Sequence, residues 1–293
     1  MSNLKEIRTR INSVKSTRQI TSAMKMVSAA KLRRSQDAII QLRPYASKLE
    51  EVLSEICESK EIKKEHIYSE EREINKVLIV LITSNKGLCG AFNSNVVRSA
   101  INLIETKYKT QLQEKNVDLY IIGKKGFELL KSKNFNIYKY NSDIYNDLSF
   151  NNVSKFAEEI MRNYVNKKYD NVEIVYNQFK NAAVQILTTE KFLPVEPPKP
   201  AEDENIQSDY ILEPSKDYIV EKLIPNLLRI QFYKCILDSN TSEHGARMTT
   251  MHQATDNATE IIKDLNLTYN KARQASITRE IIEIVSGAEA LTG

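Results

Sequence analysis

Glycine and proline are scarce, seven of each in 293 residues. So few breakers exclude a loop-rich or low-complexity chain and favour long regular elements. Cysteine is scarce as well. Cys57, Cys89 and Cys235 stand far apart, with no CxxC or Cys/His spacing, which excludes a disulfide framework and a Cys-based metal site and fits a reducing compartment. The three histidines, His66, His244 and His252, do not pair with a plausible serine or cysteine nucleophile. His244 and His252 lie eight apart on a helical stretch without a third ligand, so no metal and no cofactor is expected. The carboxylates are scattered over helical faces, where solvation is their ordinary role. No apolar run reaches the length of a membrane span. The opening "MSNLKEIRTR" lacks the apolar block of a secretory signal. It is basic enough for a transit peptide but merges into a helical pattern, so the mature chain is expected to start near Met1 in the cytoplasm.

Acidic residues are nearly missing from one segment. Between Met1 and Lys48 eleven Lys/Arg face only Glu6 and Asp37, whereas the whole chain carries a mild +4. Basicity concentrated in this way implies a local partner. Aromatics are absent between Met1 and Pro44, which removes the stacking surface that a single-stranded nucleic-acid binder uses. A stripe of Lys15, Arg18, Lys25, Lys31, Arg33 and Arg34 could still meet a phosphate backbone. A basic face against an acidic protein surface explains the same charges. The alternative reading is therefore a coiled-coil nucleic-acid-associated protein. Small residues, Ser22, Ala23, Ser28, Ala29 and Ala30, thin this helix as if for a narrow passage.

What is present, 41% hydrophobic and 27% charged residues, describes an ordinary folded chain. Leu4, Ile7, Ile11, Val14, Thr17, Ile20, Met24 and Val27 recur three or four apart, followed by Leu42, Ala46, Leu49, Leu53 and Ile56. Such a narrow stripe predicts a coiled-coil helix over residues 1–60. From about Ser215 the signature returns in Met251, Ala254, Ala258, Ile261 and Leu265, then in Ile277, Ile281, Ile284, Ala288 and Leu291. A second coiled-coil helix over 210–293, antiparallel to the first, is expected, some 75 residues or roughly 110 Å long. Pro225 and Gly245 interrupt it, which predicts a kink or weak turn.

Residues 75–195 alternate element types. "KVLIVLIT" (76–83) and "VDLYIIG" (117–123) read as buried strands around a helix from Asn95 to Gln113. That βαβ start predicts a parallel sheet. Asn151–Lys167 reads as another helix, and "NVEIVYNQF" with "AVQILTTEKF" as an antiparallel hairpin. "PVEPPKP" (194–200) closes the domain as an extended linker before "AEDE". The fold class expected is α/β: a long antiparallel coiled coil of N- and C-terminal helices with a central Rossmann-like α/β domain. "TSNKGLCGAFN" (83–93) occupies a phosphate loop's place between strand and helix. It lacks both the Gly-Lys-Ser/Thr ending and the three spaced glycines of a nucleotide fingerprint, so a structural turn is expected.

Three long motifs, "IRTRINSVKSTRQITSAMKMVSAAKLRRSQ", "SNKGLCGAFN" and "ARMTTMHQATDNATEII" followed by "NKARQASITREIIEIVSGAEAL", resemble in order and spacing the gamma subunits of F-type ATP synthases. The resemblance implies a non-catalytic rotary shaft, its coiled coil inside a ring of alpha and beta subunits and its α/β domain beside the epsilon subunit on a membrane ring of c subunits. It implies that Met24 and the cationic face with Lys25 meet acidic loops of the beta subunits. By the same resemblance Arg247, Arg273, Gln274 and Thr278 would meet further loops of that ring, and Ile281 to Leu291 an apolar bearing. Tyr210, Leu212 and Glu213 in "YILEP" would meet the c ring. Peripheral attachment through the c ring, on the cytoplasmic face of a bacterial inner membrane, is the expected location.

Overall fold

The computed structural model describes residues 2–57, 67–70, 72–195 and 216–292. Helix α1 (Ser2–Cys57) opens the chain and helix α6 (Lys216–Thr292) closes it. Between them run β1 (Val77–Ile82), α2 (Phe92–Lys107), α3 (Lys109–Gln113), β2 (Val117–Ile122) and α4 (Lys124–Leu130). There follow β3 (Asn136–Asn141), a 3-10 turn (Asp143–Asn146), α5 (Phe150–Val165), β4 (Asn171–Phe179) and β5 (Gln185–Leu193). The chain forms two compact units. One joins α1 up to Ala29 with α6 from Arg247 onward, and the other spans Ala30–Ala246. Each long helix contributes to both.

The second unit is built on a five-stranded sheet ordered β3-β2-β1-β4-β5. β1 pairs in parallel with β2 and β4, β2 with β3, and only β5 runs antiparallel, as the partner of β4. All six residues of β1 are buried, because a parallel strand covered on both faces has no side to give to water. The strand's twofold alternation sorts them. Leu78, Val80 and Ile82 enter one core with residues of α5, α1 and α6, such as Ile160, Leu49 and Phe232. Val77, Ile79 and Leu81 enter the other with α2, Val96 and Ile104 among them.

Two expectations for the long helices need correction. No break occurs in α6 at Pro225 or Gly245, and α1 also runs on through Pro44. A helical proline strands the carbonyl four residues earlier. Here those carbonyls belong to Ile40 and Glu221, both exposed, so water can satisfy them. Gly245 has a packing reason instead. A Cβ there would stand 3.1 Å from the carbonyl oxygen of Ala182 at the β4–β5 turn, so glycine lets the hairpin tip approach the helix backbone.

Candidate partner-binding surface

In the first unit one hydrogen bond fixes the register of the helix pair. Thr255 Oγ1 donates to Thr21 Oγ1 at 2.8 Å, and Thr21 in turn donates to the carbonyl of Arg18 at 3.1 Å. Around that pair, the seam residues of α1 are Leu4, Ile7, Ile11, Val14, Arg18, Thr21, Lys25 and Ser28, all buried or half-buried, with Ser22, Met24 and Ala29 half-buried at its edges. On α6 they are Met251, Thr255, Ala258, Ile262, Leu265, Tyr269, Ala272 and Ser276, with Ala254 half-buried beside them. Both sets alternate steps of three and four, the 3.5-residue period of a two-helix seam. The expected stripe departs from this after Val14. Its two successive steps of three, to Thr17 and Ile20, rotate it off the seam, and on α6 the expected stripe takes steps of three where the seam takes four, which puts Ile261 in place of the buried Ile262.

The consequence is an inverted distribution. The seam near the middle of α1 holds Thr21 and Ser28 at 9% and 3% exposure, while Ile20, Met26 and Val27 point outward at 60%, 65% and 57%. On α6 Ile261 and Leu267 are likewise exposed. Counted at equal rise from the Thr21–Thr255 pair, Ser2 stands opposite Gln274. The turns beyond have no α1 residue to pack on, and Ile277, Ile281, Ile282, Ile284 and Val285 are all exposed, Ile284 at 71%. Exposed apolar side chains gathered along one structure mark a surface that a partner covers.

The candidate residues fall into three groups. Arg273, Gln274 and Thr278 are exposed together on the last turns of α6, and Ile281 to Ala288 follow them in the open. Met24 and Lys25 are half-buried at the edge of the seam, whereas Lys15, Lys31, Arg33 and Arg34 are exposed. Arg247 is 6% exposed, so its guanidinium meets any partner only at its edge. Tyr210, Leu212 and Glu213 lie outside the described residues, as does His66. His252 pairs through Nδ1 with Asp256 at 3.1 Å on the surface. No cluster of three metal-binding side chains occurs among the described residues.

The loop after β1 sits at the point where the sheet order reverses, between β1 and β4, where doubly wound sheets take nucleotides. Here protein groups fill the place. Ser84 N donates to Asn93 Oδ1 at 2.9 Å, Asn93 Nδ2 donates to Ser84 Oγ at 2.8 Å, and Asn177 Nδ2 donates to the Phe92 carbonyl at 3.2 Å. Ala246 of α6 packs with Cys89 and Phe92. Next to it, Gly126 N donates to Thr83 Oγ1 at 3.0 Å, and Tyr145 OH donates to the Thr83 carbonyl at 2.7 Å. Burial pushes the Tyr145 phenol well above its ordinary pKa, with the Glu243 charge adding to it. The loop is a hydrogen-bonded joint between β1, α2 and β4, closed over by α6.

Sequence reading missed the outward position of Met26 and the departure of Ile20 and Val27 from the seam. A strict 3-4-3-4 count from Leu4 would have found all three. It also missed α4 and β3. The residues "KKGFELL" are too short to show helical period, and "NIYKYN" is an edge strand whose side chains are mostly half-buried.

Comparison with known proteins follows this geometry. The ATP synthase family profile matches residues 3–291. The ATP synthase gamma chains of Christiangramia forsetii and Flavobacterium johnsoniae are each 55% identical over the whole of both chains, and that of a Geobacter species is 44% identical, again end to end. Among solved structures, a chain of the Euglena gracilis mitochondrial ATP synthase (OSCP/F1/c-ring) matches with TM-score 0.69 at 23% identity, over 99% of this chain and 95% of that one. The central stalk/c-ring assembly of the Tetrahymena thermophila enzyme matches at TM-score 0.56 and 24% identity, over 80% of this chain and 99% of that one. Those structural likenesses concern the fold, and together with the near-complete sequence matches they place this chain in the ATP synthase gamma chain family.

Proposed function

We infer that this chain is the central rotary stalk of an F-type ATP synthase, a non-catalytic subunit that couples ion-driven rotation to ATP synthesis and hydrolysis in the catalytic ring. The observation that carries the reading is the inverted coiled coil, with Thr21 and Ser28 inside and Ile20, Met26 and Val27 outside. Alone in water such a pair wastes its apolar surface. Inside a surrounding sleeve the same residues gain burial at about 25 cal/mol per Å². An asymmetric shaft favours a different state of each surrounding catalytic site at each angle, and so shifts populations in its partners without chemistry of its own.

The sleeve is a ring of alpha and beta subunits. Met24, Lys25 and the exposed Lys31, Arg33 and Arg34 face acidic loops of the beta subunits. Arg273, Gln274 and Thr278, with the edge of Arg247, meet further loops, and Ile281 to Leu291 turn in an apolar bearing. The sheet unit carries the epsilon subunit, and Tyr210, Leu212 and Glu213 rest on the c ring. The complex is membrane-associated. No helix among the described residues is long and apolar enough to cross a membrane, and attachment through the c ring, on the cytoplasmic face of the bacterial inner membrane, makes the chain a peripheral subunit.

Rotation itself is the test. The chain, labelled on a cysteine introduced at the exposed Lys131, is assembled with alpha and beta subunits fixed to glass, and ATP is added. Stepwise turning of the label in one direction is expected. A stationary label on an assembly that hydrolyses ATP would overturn the reading, and tight salt-sensitive binding of the free chain to duplex DNA would return the nucleic-acid alternative.

A further inference from the structure

Beneath the β4–β5 hairpin, α6 buries a carboxylate that the shaft reading does not use. Asp238 is 1% exposed. Its cation is Arg43 of α1, whose Nη2 stands 3.8 Å from Asp238 Oδ1, while the Arg43 side chain itself remains half exposed. The same guanidinium donates to the carbonyl of Phe179, the last residue of β4, at 3.4 Å. A second carboxylate, Glu190 of β5, lies in the cluster and accepts from Tyr176 OH of β4 and, at 3.6 Å, from Cys235 Sγ of α6. Lys234 of α6 acts on Asp238 electrostatically as well. Ser239 and Ser242 of the same helix bury hydroxyls that find no partner among the described residues. Asp238 is therefore dry, with a second, half-buried acid beside it and its nearer cation half in water, an arrangement where desolvation outweighs attraction. The hairpin tip over it is held to α6 by close packing of Ala182 on Gly245.

We propose that Asp238 is the proton-binding element of a latch that holds the β4–β5 hairpin against α6, tightening when the carboxyl is protonated and loosening when it ionises. Burial pushes the carboxyl up to about 6, with Arg43, Lys234 and a backbone hydrogen bond from Phe179 opposing and Glu190 adding to the rise. In an opened hairpin it is hydrated and returns toward about 3.9. The packed form thus holds the proton more tightly than the open one. Its advantage is complete below about pH 4 and is lost as the pH rises through about 6. In the intact molecule the latch makes the hairpin's grip on the long helix depend on the pH around it.

Hydrogen exchange of residues 179–185 in the full-length chain, corrected for intrinsic rates, reads the latch directly. Protection roughly tenfold greater at pH 5 than at pH 7.5 is expected from the two pKa values, with β2 (117–122) showing no such change. Asp238→Asn should remove the difference, and Arg43→Gln should move its midpoint to higher pH. Protection independent of pH in the parent chain would overturn the latch without any variant being made. A pH dependence kept in Asp238→Asn, or a midpoint unmoved in Arg43→Gln, would overturn it equally.

Discussion

Gly123 stands where β2 turns into α4, with φ at +99°, and an added Cβ would lie 2.1 Å from the carbonyl oxygen of Thr83. That carbonyl also accepts from Tyr145, and Thr83 Oγ1 accepts from Gly126 N, so neither side of the contact can yield. Gly123→Ala adds the strain of a left-handed conformation to a collision with backbone. A loss of about 3 kcal/mol or more is expected, measured as the shift of the urea midpoint at unchanged slope. A loss under about 1 kcal/mol would show that the joint can rearrange. Gly245 differs in degree. The 3.1 Å approach of Ala182 leaves room for a few tenths of an ångström of adjustment, and the helix there gains about 1 kcal/mol from alanine, so the two effects oppose each other at that residue.

At the scale of elements, the polar pair inside the coiled coil can be separated from the seam around it. The single proton of Thr255 Oγ1 has two acceptors in reach, Thr21 Oγ1 and the Met251 carbonyl, and Thr21 donates to the Arg18 carbonyl, so each hydroxyl has a local acceptor when its partner is lost. Replacing both threonines by valine removes donor and acceptor together, and full-length chains should then melt at or above the parent temperature, followed by helical circular dichroism. The two single changes should each cost under about 1 kcal/mol, with a coupling of roughly 0.5–1 kcal/mol between them. Strictly additive effects would mean that the cross-helix bond contributes nothing. This pair also shows what the sequence made legible. Leu4, Ile7, Ile11 and Val14 stand on the seam as read, because apolar residues and helix period agree there. From Arg18 onward they disagree, since the seam is polar and the apolar residues face out, and a reading that follows hydrophobicity leaves the seam. The strands β1, β2 and β4 were legible because burial on both faces leaves apolar runs with little else to do, and β5, an edge strand of mixed exposure, was legible only as the second arm of a hairpin with β4. Pro225 and Gly245 misled because helix breaking is a local rule, whereas solvent at Glu221 and the hairpin at Ala182 are tertiary facts. The contacts of the loop 83–93 were out of reach for the same reason, as Asn177 and Ala246 come from distant parts of the chain.

At the scale of the whole molecule, loop chemistry and charge make separate predictions. The isolated chain should neither hydrolyse ATP nor bind it in calorimetric titration. The Ser84 amide and the Asn93 side chain bond each other at the switch point, and the loop carries no phosphate-loop lysine. Micromolar binding would contradict this. Charge should act on encounter. Lys31, Arg33 and Arg34 are exposed on α1, in a segment where cations outnumber acids eleven to two. Changing the three to glutamine takes the chain from +4 to +1 and touches no core contact, so folding should be unaffected. Oppositely charged surfaces steer diffusional encounter, and mutation of such charges changes association more than dissociation. With a fluorescent label on the chain and stopped-flow mixing with alpha and beta subunits, association of the triple variant at low salt should be roughly tenfold slower than that of the parent. Near 1 M salt the screening length falls to about 3 Å, and the two rates should converge. Equal rates at low salt would show that the basic face of α1 does not steer assembly, and a gap that persisted at high salt would show that these three side chains act by direct contact instead.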